Sequence, residues 1–271
     1  MMFRILPDNL KFDGFTLVTG FHGIGVTGYW SIKYMIQNLK ARRIGIIDTD
    51  KVSPVSSTAN KSIVTPFELY RKDNLIFFKT EIQPIQGYEI YFYRELCDWI
   101  IKSKFKEVVL IGGLDLSLQN DKSMYRLVHT SAYKPKKNLK DALILESDKL
   151  IVGPVALMLN YFEAMFFPSY AILPYASAER VDPRAAATSV DIISNHYSLN
   201  INVESLIKGA EDLESQIAQN QSVKPPKRPD SFYTWFFYSA FTDFNWVDLH
   251  TGQYDIGLLI IVPQSIQLVE V

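Results

Sequence analysis

Short apolar runs that alternate with helix-like segments constrain the fold of this chain most strongly. Residues 15–21, 43–48 and 107–112 are apolar runs of strand length, whereas residues 25–40 and 87–102 place apolar side chains at helical spacings. Strands that alternate with helices favour a mostly parallel sheet covered by helices, because each element must bury its apolar side against another layer. The pattern therefore predicts an α/β protein.

Turn and cap residues predict further elements. Residues 71–74 are typical of a turn, and they separate two predicted strands of a hairpin, 62–69 and 75–80. Asp182 followed by Pro183 predicts a helix start, with Asp as the N-cap and Pro in the first position. The other predicted elements are a strand at 125–130, a helix at 154–166, a strand at 170–174, a helix from 182 to 195 and a charged helix at 203–220.

The balance of charges excludes several classes of function. The 271 residues carry 28 Lys and Arg against 29 Asp and Glu, and this net charge of −1 gives no general attraction to nucleic acid or to an anionic membrane. No apolar stretch reaches the roughly 18 residues of a membrane span, and the first residues lack the long apolar core of a secretory signal. We therefore expect a cytoplasmic protein that binds neither nucleic acid nor membrane.

The C-terminal residues differ in character from the rest. Residues 229–271 contain five acidic residues, ten aromatic residues and no Lys or Arg, whereas the residues before them hold 28 basic and 24 acidic side chains. Residues 221–229 are polar and rich in proline, a composition typical of a linker. We predict an α/β domain over residues 1–220, a linker over 221–229 and a small antiparallel β appendage over 230–271.

The aromatic residues of this appendage are candidates for binding a partner. Trp235, Phe236 and Trp246 are the proposed anchors, because aromatic side chains dominate the energetics of interfaces. The same residues would equally serve to complete the protein's own core. The sequence leaves both interpretations open. The strand-like segments of the appendage are 244–249, 254–262 and 265–269.

A glycine-rich turn follows the first predicted strand. Gly23, Gly25 and Gly28 have the GxGxxG spacing of a dinucleotide-binding turn, and Asp48 lies 20 residues beyond Gly28, where such folds place an acid for a ribose. Glycines are also needed where a helix packs closely on a sheet without any ligand. The spacing is therefore compatible with a cofactor-binding turn and with a packing turn.

Other motifs have a structural explanation beside a functional one. Gly112 and Gly113 either admit a ligand at the carboxyl edge of the sheet or form a sharp strand exit. Asp182 and Arg184 are further candidates for an interaction, since they could supply a general acid and an anion clamp, but a capped helix start explains them as well. The four histidines are scattered and Cys97 is the single cysteine. We therefore predict no catalytic residue and no metal site.

Several segments, taken in order, resemble a known family. They are the turn GFHGIGVTG at 20–28, the helix start at 86–89, the strand end at 107–114, the helix start at 153–159 and the passage through DPRAAA at 174–187. In this order they resemble the archaeal branch of the proteasome-assembly-chaperone family, the relatives of its second eukaryotic subunit. The resemblance covers about four-fifths of the chain.

The resemblance implies a three-layer α/β/α sandwich similar to nucleoside phosphorylases, without an established catalytic site. It implies a homo-oligomer that acts as a scaffold or chaperone for proteasome core-particle subunits. Gly20, Gly23, Gly25 and Gly28 would then serve packing and interface formation, so no cofactor is expected. Proteasome-binding members can end in a hydrophobic–Tyr–any tripeptide, whereas this chain ends in Val-Glu-Val at 269–271, so docking by that route is not expected.

Two functions from different classes follow. The leading expectation is a non-enzymatic assembly scaffold or chaperone whose partners are further copies of itself and proteasome subunits. The alternative is a nucleoside- or dinucleotide-binding α/β enzyme. It would use the Gly23/Gly25/Gly28 turn, Asp48 and the sheet edge at Gly112.

Overall fold

The computed structural model describes residues 2–59, 61–135, 139–147 and 149–209, together with the backbone of residues 261–262 and 265–266. Contacts divide the chain into two units, Met1–Pro225 and Pro226–Val271. In the second unit the described backbone forms an antiparallel pair, Ile261–Val262 with Ser265–Ile266. The other predicted elements of the appendage, and the predicted linker, lie outside the described residues.

A large sheet organises the first unit. The strands described in this unit are β1 (Phe3–Leu6), β2 (Thr16–Gly20), β3 (Arg42–Thr49), β4 (Ser57–Ala59), β5 (Ser62–Val64), β6 (Phe67–Lys72), β7 (Leu75–Thr80), β8 (Glu107–Ile111), β9 (Leu114–Asp115), β10 (Tyr125–His129) and β11 (Ser169–Ala176). The sheet has the order β1-β3-β6-β7-β2-β8-β11-β10, with β9 also paired to β11, and β4 and β5 form a separate hairpin. The central strands β7, β2, β8 and β11 are parallel. The short strand β9 is parallel to β11, whereas β1, β3, β6 and β10 pair antiparallel.

Helices cover both faces of this sheet. The helices described are α1 (Thr27–Asn38), α2 (Glu89–Lys102), α3 (Gly153–Ala164) and α4 (Pro183–Tyr197). α1 packs against α4 on one face, and α2 packs against α3 on the other. Alternate residues of β8 divide between the faces, since Val109 belongs to the α1–α4 core and Val108 to the α2–α3 core. The prediction of an α/β protein with a mostly parallel central sheet is confirmed.

The central strands are buried along their whole length because both of their faces are covered. Every residue of β2, β8 and β11 is buried, as expected for parallel strands between two layers of helices. The edge strand β1 instead alternates between half-buried and exposed residues over four positions, which is too short a pattern to predict from sequence. None of the helices described is long and apolar enough to span a membrane.

The predicted hairpin needs a correction. Residues 62–69 do not form one strand, because Ser62–Val64 pairs with Ser57–Ala59 and a new strand begins at Phe67. Pro66 lies at the break, where it has no N–H to donate to a strand neighbour. The hairpin itself is present between β6 and β7, and its turn is Asp73–Asn74 rather than all four residues predicted.

The observed helix starts show where a local sequence signal was enough to predict the first residue of a helix. Asp182 caps α4, since its Oδ1 accepts hydrogen bonds from the backbone N–H groups of Arg184 and Ala185 at 3.1 Å each. α1 begins later than predicted, because Gly25 has a φ of +62° and belongs to a 3-10 turn before the helix. Of the helix predicted at 203–220, residues 204–209 are helical, Val203 precedes the helix, and residues 210–220 lie outside the described residues.

Candidate functional site

The glycine turn joins β2 to α1 at the carboxyl edge of the parallel strands. A Cβ atom on Gly28 would lie 2.5 Å from the carbonyl oxygen of Ile111 and 2.5 Å from the backbone nitrogen of Phe21. A Cβ atom on Gly20 would lie 2.6 Å from the Cα of Gly28. The neighbouring atoms are backbone, so they cannot rotate away. These glycines allow α1 to cross the sheet at contact distance.

Three N–H groups at this turn donate to carbonyl oxygens of the protein itself. Val26 N donates to the carbonyl oxygen of Gly23 at 2.7 Å, and Tyr29 N donates to that of Phe21 at 3.2 Å. Thr27 N also donates to a carbonyl oxygen within the turn. A phosphate-binding turn directs such groups at its ligand. Here they close the turn on itself, which is the geometry of a packing joint.

The structure brings Gly25, Gly113 and Asp182 together around this joint. The backbone nitrogen of Asp182 donates to the carbonyl oxygen of Gly25 at 2.9 Å. A Cβ atom on Gly25 would lie 2.8 Å from the Cβ of Ala176, and one on Gly113 would lie 2.7 Å from the carbonyl oxygen of Ile24. The glycines of two separate sequence motifs thus let β2, β8, β11 and the start of α4 meet.

The remaining candidates at this edge are placed differently. A Cβ atom on Gly112 would lie 2.7 Å from the Cδ2 of Leu173, so this glycine fits closely against β11. An added Cβ on Gly23 meets no heavy atom of the described residues within 4 Å. Arg184 is exposed in the first turn of α4. Its backbone therefore takes part in the Asp182 cap while its side chain lies at the surface.

Asp48 is not brought to the glycine turn. It lies on β3, and two strands, β6 and β7, separate β3 from β2. Three strand spacings amount to on the order of 14 Å. Its carboxylate instead forms an ion pair with Arg4 across the β1–β3 pair, at 2.6 Å. The 20-residue spacing suggested that Asp48 would face the ribose of a dinucleotide bound at the glycine turn. The structure does not place Asp48 there, because the next strand in the sequence, β3, is not the neighbour of β2 in the sheet.

A chain of polar side chains leads from the glycine turn across the sheet. The ring of His22 stacks on Tyr29 with 4.3 Å between centroids, and the Tyr29 hydroxyl donates to Glu81 at 3.1 Å. Lys79 bridges Glu81 and Glu68 at 2.9 Å to each. Glu68 is fully buried, and its partners balance its charge.

The pKa shifts show that this cluster is held in its charged form. Burial opposes ionisation of Glu68, but hydrogen bonds from Lys79 and Arg43 outweigh it, so the pKa of the Glu68 carboxyl is lowered. Burial likewise opposes the charge of Lys79, and its two carboxylate partners raise its pKa in spite of this. Burial and the bond to Glu68 raise the pKa of Tyr70 to about 12. These groups are bound as ion pairs and hydrogen-bond donors, an arrangement suited to stability rather than to proton transfer.

The remaining reactive groups have structural environments. Cys97 is buried in α2, and burial raises the pKa of its thiol, so the thiolate is disfavoured. Among the described residues no three His, Cys, Asp or Glu side chains are grouped as metal ligands would be.

The pattern of the PAC2 family matches residues 17–221, a stretch that runs from β2 through the glycine joint to the residues after α4. The chain belongs to the PAC2 family. This confirms the resemblance found in the glycine turn and the DPRAAA passage, since both lie within the matched residues.

Relatives of this PAC2-family chain include archaeal proteins. The uncharacterized protein MJ0106 of Methanocaldococcus jannaschii is 24% identical over 217 residues, which cover 78% of this chain and 87% of the relative. The crystal structure of Pyrococcus furiosus PbaA, an archaeal homolog of proteasome-assembly chaperone, has a TM-score of 0.65 at 21% identity, over 80% of this chain and 95% of PbaA. Pyrococcus furiosus PbaB, an archaeal proteasome activator, has a TM-score of 0.64 at 17% identity, over 81% and 98%. These similarities show a shared fold.

Sequence reasoning missed an exposed apolar surface on this PAC2-family chain. It lies at the starts of α2 and α3, where Leu150 is 86% exposed, Val152 73%, Tyr91 51%, Ile90 48% and Tyr88 45%. The sequence of α2 contained a signal for this surface. Other residues of the helix form its buried stripe, so Ile90 and Tyr91 are apolar residues on the face of the helix that would ordinarily be polar. The predicted anchors Trp235, Phe236 and Trp246 lie outside the described residues.

Proposed function

We propose that this PAC2-family chain is a non-enzymatic assembly scaffold or chaperone, and that its clients are subunits of the proteasome core particle. The family match supports this proposal, as does the shared fold with PbaA, an archaeal homolog of proteasome-assembly chaperone, and with PbaB, an archaeal proteasome activator. The proposal includes a homo-oligomeric state, a cytoplasmic location and a nucleoside-phosphorylase-like sandwich without that enzyme's chemistry.

The exposed apolar surface at the starts of α2 and α3 carries the proposal. Its side chains, from Tyr88 to Val152, are too large and too exposed to contribute fully to the protein's own core. Large exposed apolar side chains gathered in one region of a surface are typical of protein-binding sites. Burying it against a client would contribute roughly 25 cal/mol per Å² of apolar area.

The glycine joint supports the non-enzymatic part of the proposal. Gly20 and Gly28 hold α1 in contact with backbone atoms of β2 and β8, and the N–H groups of Val26 and Tyr29 donate to carbonyl oxygens of the chain itself. A nucleotide could use those two N–H groups only if these hydrogen bonds were broken. We therefore expect ATP, NAD or adenosine at millimolar concentration to leave the melting temperature of the chain unchanged in a thermal-shift measurement, since a ligand that binds the native state must raise it.

The direct test is binding to purified proteasome core-particle subunits encoded in the same genome. Complex formation is followed by size-exclusion chromatography with light scattering, and affinity by biolayer interferometry. We expect Tyr91→Asp to weaken binding about tenfold or more, because a charge would be buried against an apolar partner. Asn160→Asp is the matched control, since it adds the same charge at an exposed position of α3. Equal affinities for the two variants would refute the role of this surface.

A further inference from the structure

Helices α1 to α4 end in the same backbone arrangement. Within two residues of the last helical residue lies a residue with a left-handed backbone, and the next N–H donates back to the carbonyl oxygen five residues earlier. This arrangement usually employs Gly or Asn, which tolerate a positive φ. Here the left-handed residues are Lys40 after α1, Lys104 after α2, Phe166 after α3 and Ser198 after α4.

Phe166 differs from the other three. It is a bulky aromatic residue with a φ of +51°, and its side chain is 73% exposed. The helix end needs an apolar residue one position later, and Phe167 supplies it, buried and 5.1 Å from the ring of Phe162. Phe166 therefore has a strained backbone and an exposed ring, and the ring takes no part in the contacts that end the helix.

The neighbours of Phe166 extend this feature. Met165 beside it is 51% exposed, so the two side chains form an apolar projection at the amino edge of the sheet, called here the α3 knob. Val108 N donates to Pro168 O at 3.1 Å and holds the start of β8 against the start of β11. Lys106 lies two residues before Val108 in the chain. Phe166 likewise lies two residues before Pro168, the hydrogen-bond partner of Val108. The exposed Lys106 and Lys104 are thereby placed at the same edge as the knob.

We propose that the α3 knob is the anchor by which this chain docks on its client subunit. The partner surface that fits it has an apolar pocket wide enough for one aromatic ring, with carboxylates at its rim to meet Lys104 and Lys106. The inference rests on the proposed function, which supplies the client. It adds a second contact with the client. The apolar surface around Tyr91 lies at the starts of α2 and α3, and the knob lies at the other end of the same helix layer.

The decisive variant is Phe166→Gly. Glycine suits the left-handed backbone, so the variant is expected to melt about 2–4 °C higher than the unaltered chain while its affinity for the client falls about 30-fold or more. Phe166→Asn is a second variant with the same expectation. Lys40→Gly is the matched control, because it relieves the same strain at the end of α1 on the other face of the sheet. It should raise the melting temperature and leave the affinity unchanged.

The probe is the set of purified proteasome core-particle subunits named above, with affinity measured by biolayer interferometry. If Phe166→Gly binds the client subunits with unchanged affinity, the knob proposal is refuted while the proposed function stands. A lower melting temperature of this variant would also overturn it, because the ring would then support the fold. If the unaltered chain binds none of the subunits, the proposed function fails, and the knob proposal with it. Lys106→Glu should slow association, and an unchanged rate would remove the carboxylate rim from the proposal.

Discussion

Single glycine positions decide how closely the layers of this protein approach. Gly28 and Gly23 belong to the same GxGxxG pattern. An added Cβ on Gly28 would meet backbone atoms at 2.5 Å, whereas one on Gly23 would meet no heavy atom within 4 Å in the part of the chain that the structure describes. Close packing therefore requires a glycine at position 28 but not at position 23. A nucleotide-binding interpretation would treat both glycines alike.

Substitution of these two glycines separates their roles. Gly28→Ala should lower the free energy of unfolding by about 1–3 kcal/mol or more, because the new methyl group overlaps the backbone of β8 and of Phe21. Gly23→Ala should change it by less than about 1 kcal/mol. Urea denaturation followed by circular dichroism measures both. Equal losses in the two variants would contradict the packing role of the joint.

At the scale of elements, paired charges connect strands and helices that are far apart in sequence. Arg43 of β3, Glu68 of β6, Lys79 of β7 and Tyr29 of α1 are linked through hydrogen bonds of 2.7–3.1 Å, with Glu81 completing the chain. Removing one partner from such a cluster leaves a buried charge uncompensated. The cluster therefore favours this particular strand order.

Acid should weaken this cluster in a defined direction. The pKa of Glu68 in the folded chain lies below its ordinary value of 4.5, so its contribution to stability is present above pH 4.5 and is lost as the pH falls through the lower value. We expect the free energy of unfolding of the unaltered chain to fall below pH 4.5 more steeply than that of Glu68→Gln, which lacks this titration. Urea titrations between pH 3 and 7 measure both slopes, and parallel slopes would contradict the expectation.

At the scale of the whole molecule, the near-neutral net charge conceals two different compositions. The 43 residues from 229 to 271 carry five acidic groups and no basic ones, and the rest of the chain has a surplus of four basic groups. The ten aromatic residues of the C-terminal segment, Trp235 and Trp246 among them, are a rich source of interface contacts. We infer that this segment contributes to self-association.

Deletion of residues 229–271 tests this inference. The proposed homo-oligomer should lose mass beyond the deleted residues, and multi-angle light scattering measures the change. Far-ultraviolet circular dichroism of the truncated chain is the control for its fold. A truncated chain that is well folded and keeps the same number of copies would sink the interface role of the segment.

The sequence by itself determined the α/β class, the positions of the central strands and the Asp182 cap, because these depend on neighbours within a few residues. The order of GFHGIGVTG and DPRAAA also sufficed to place the chain in its family. The tertiary structure decided what the glycine turn is. Strand order separates Asp48 from the turn, and the contacts of Gly20 and Gly28 with backbone atoms show that these glycines serve the packing of α1 on β2 and β8. Both depend on pairings between residues distant in sequence, which local spacing does not record.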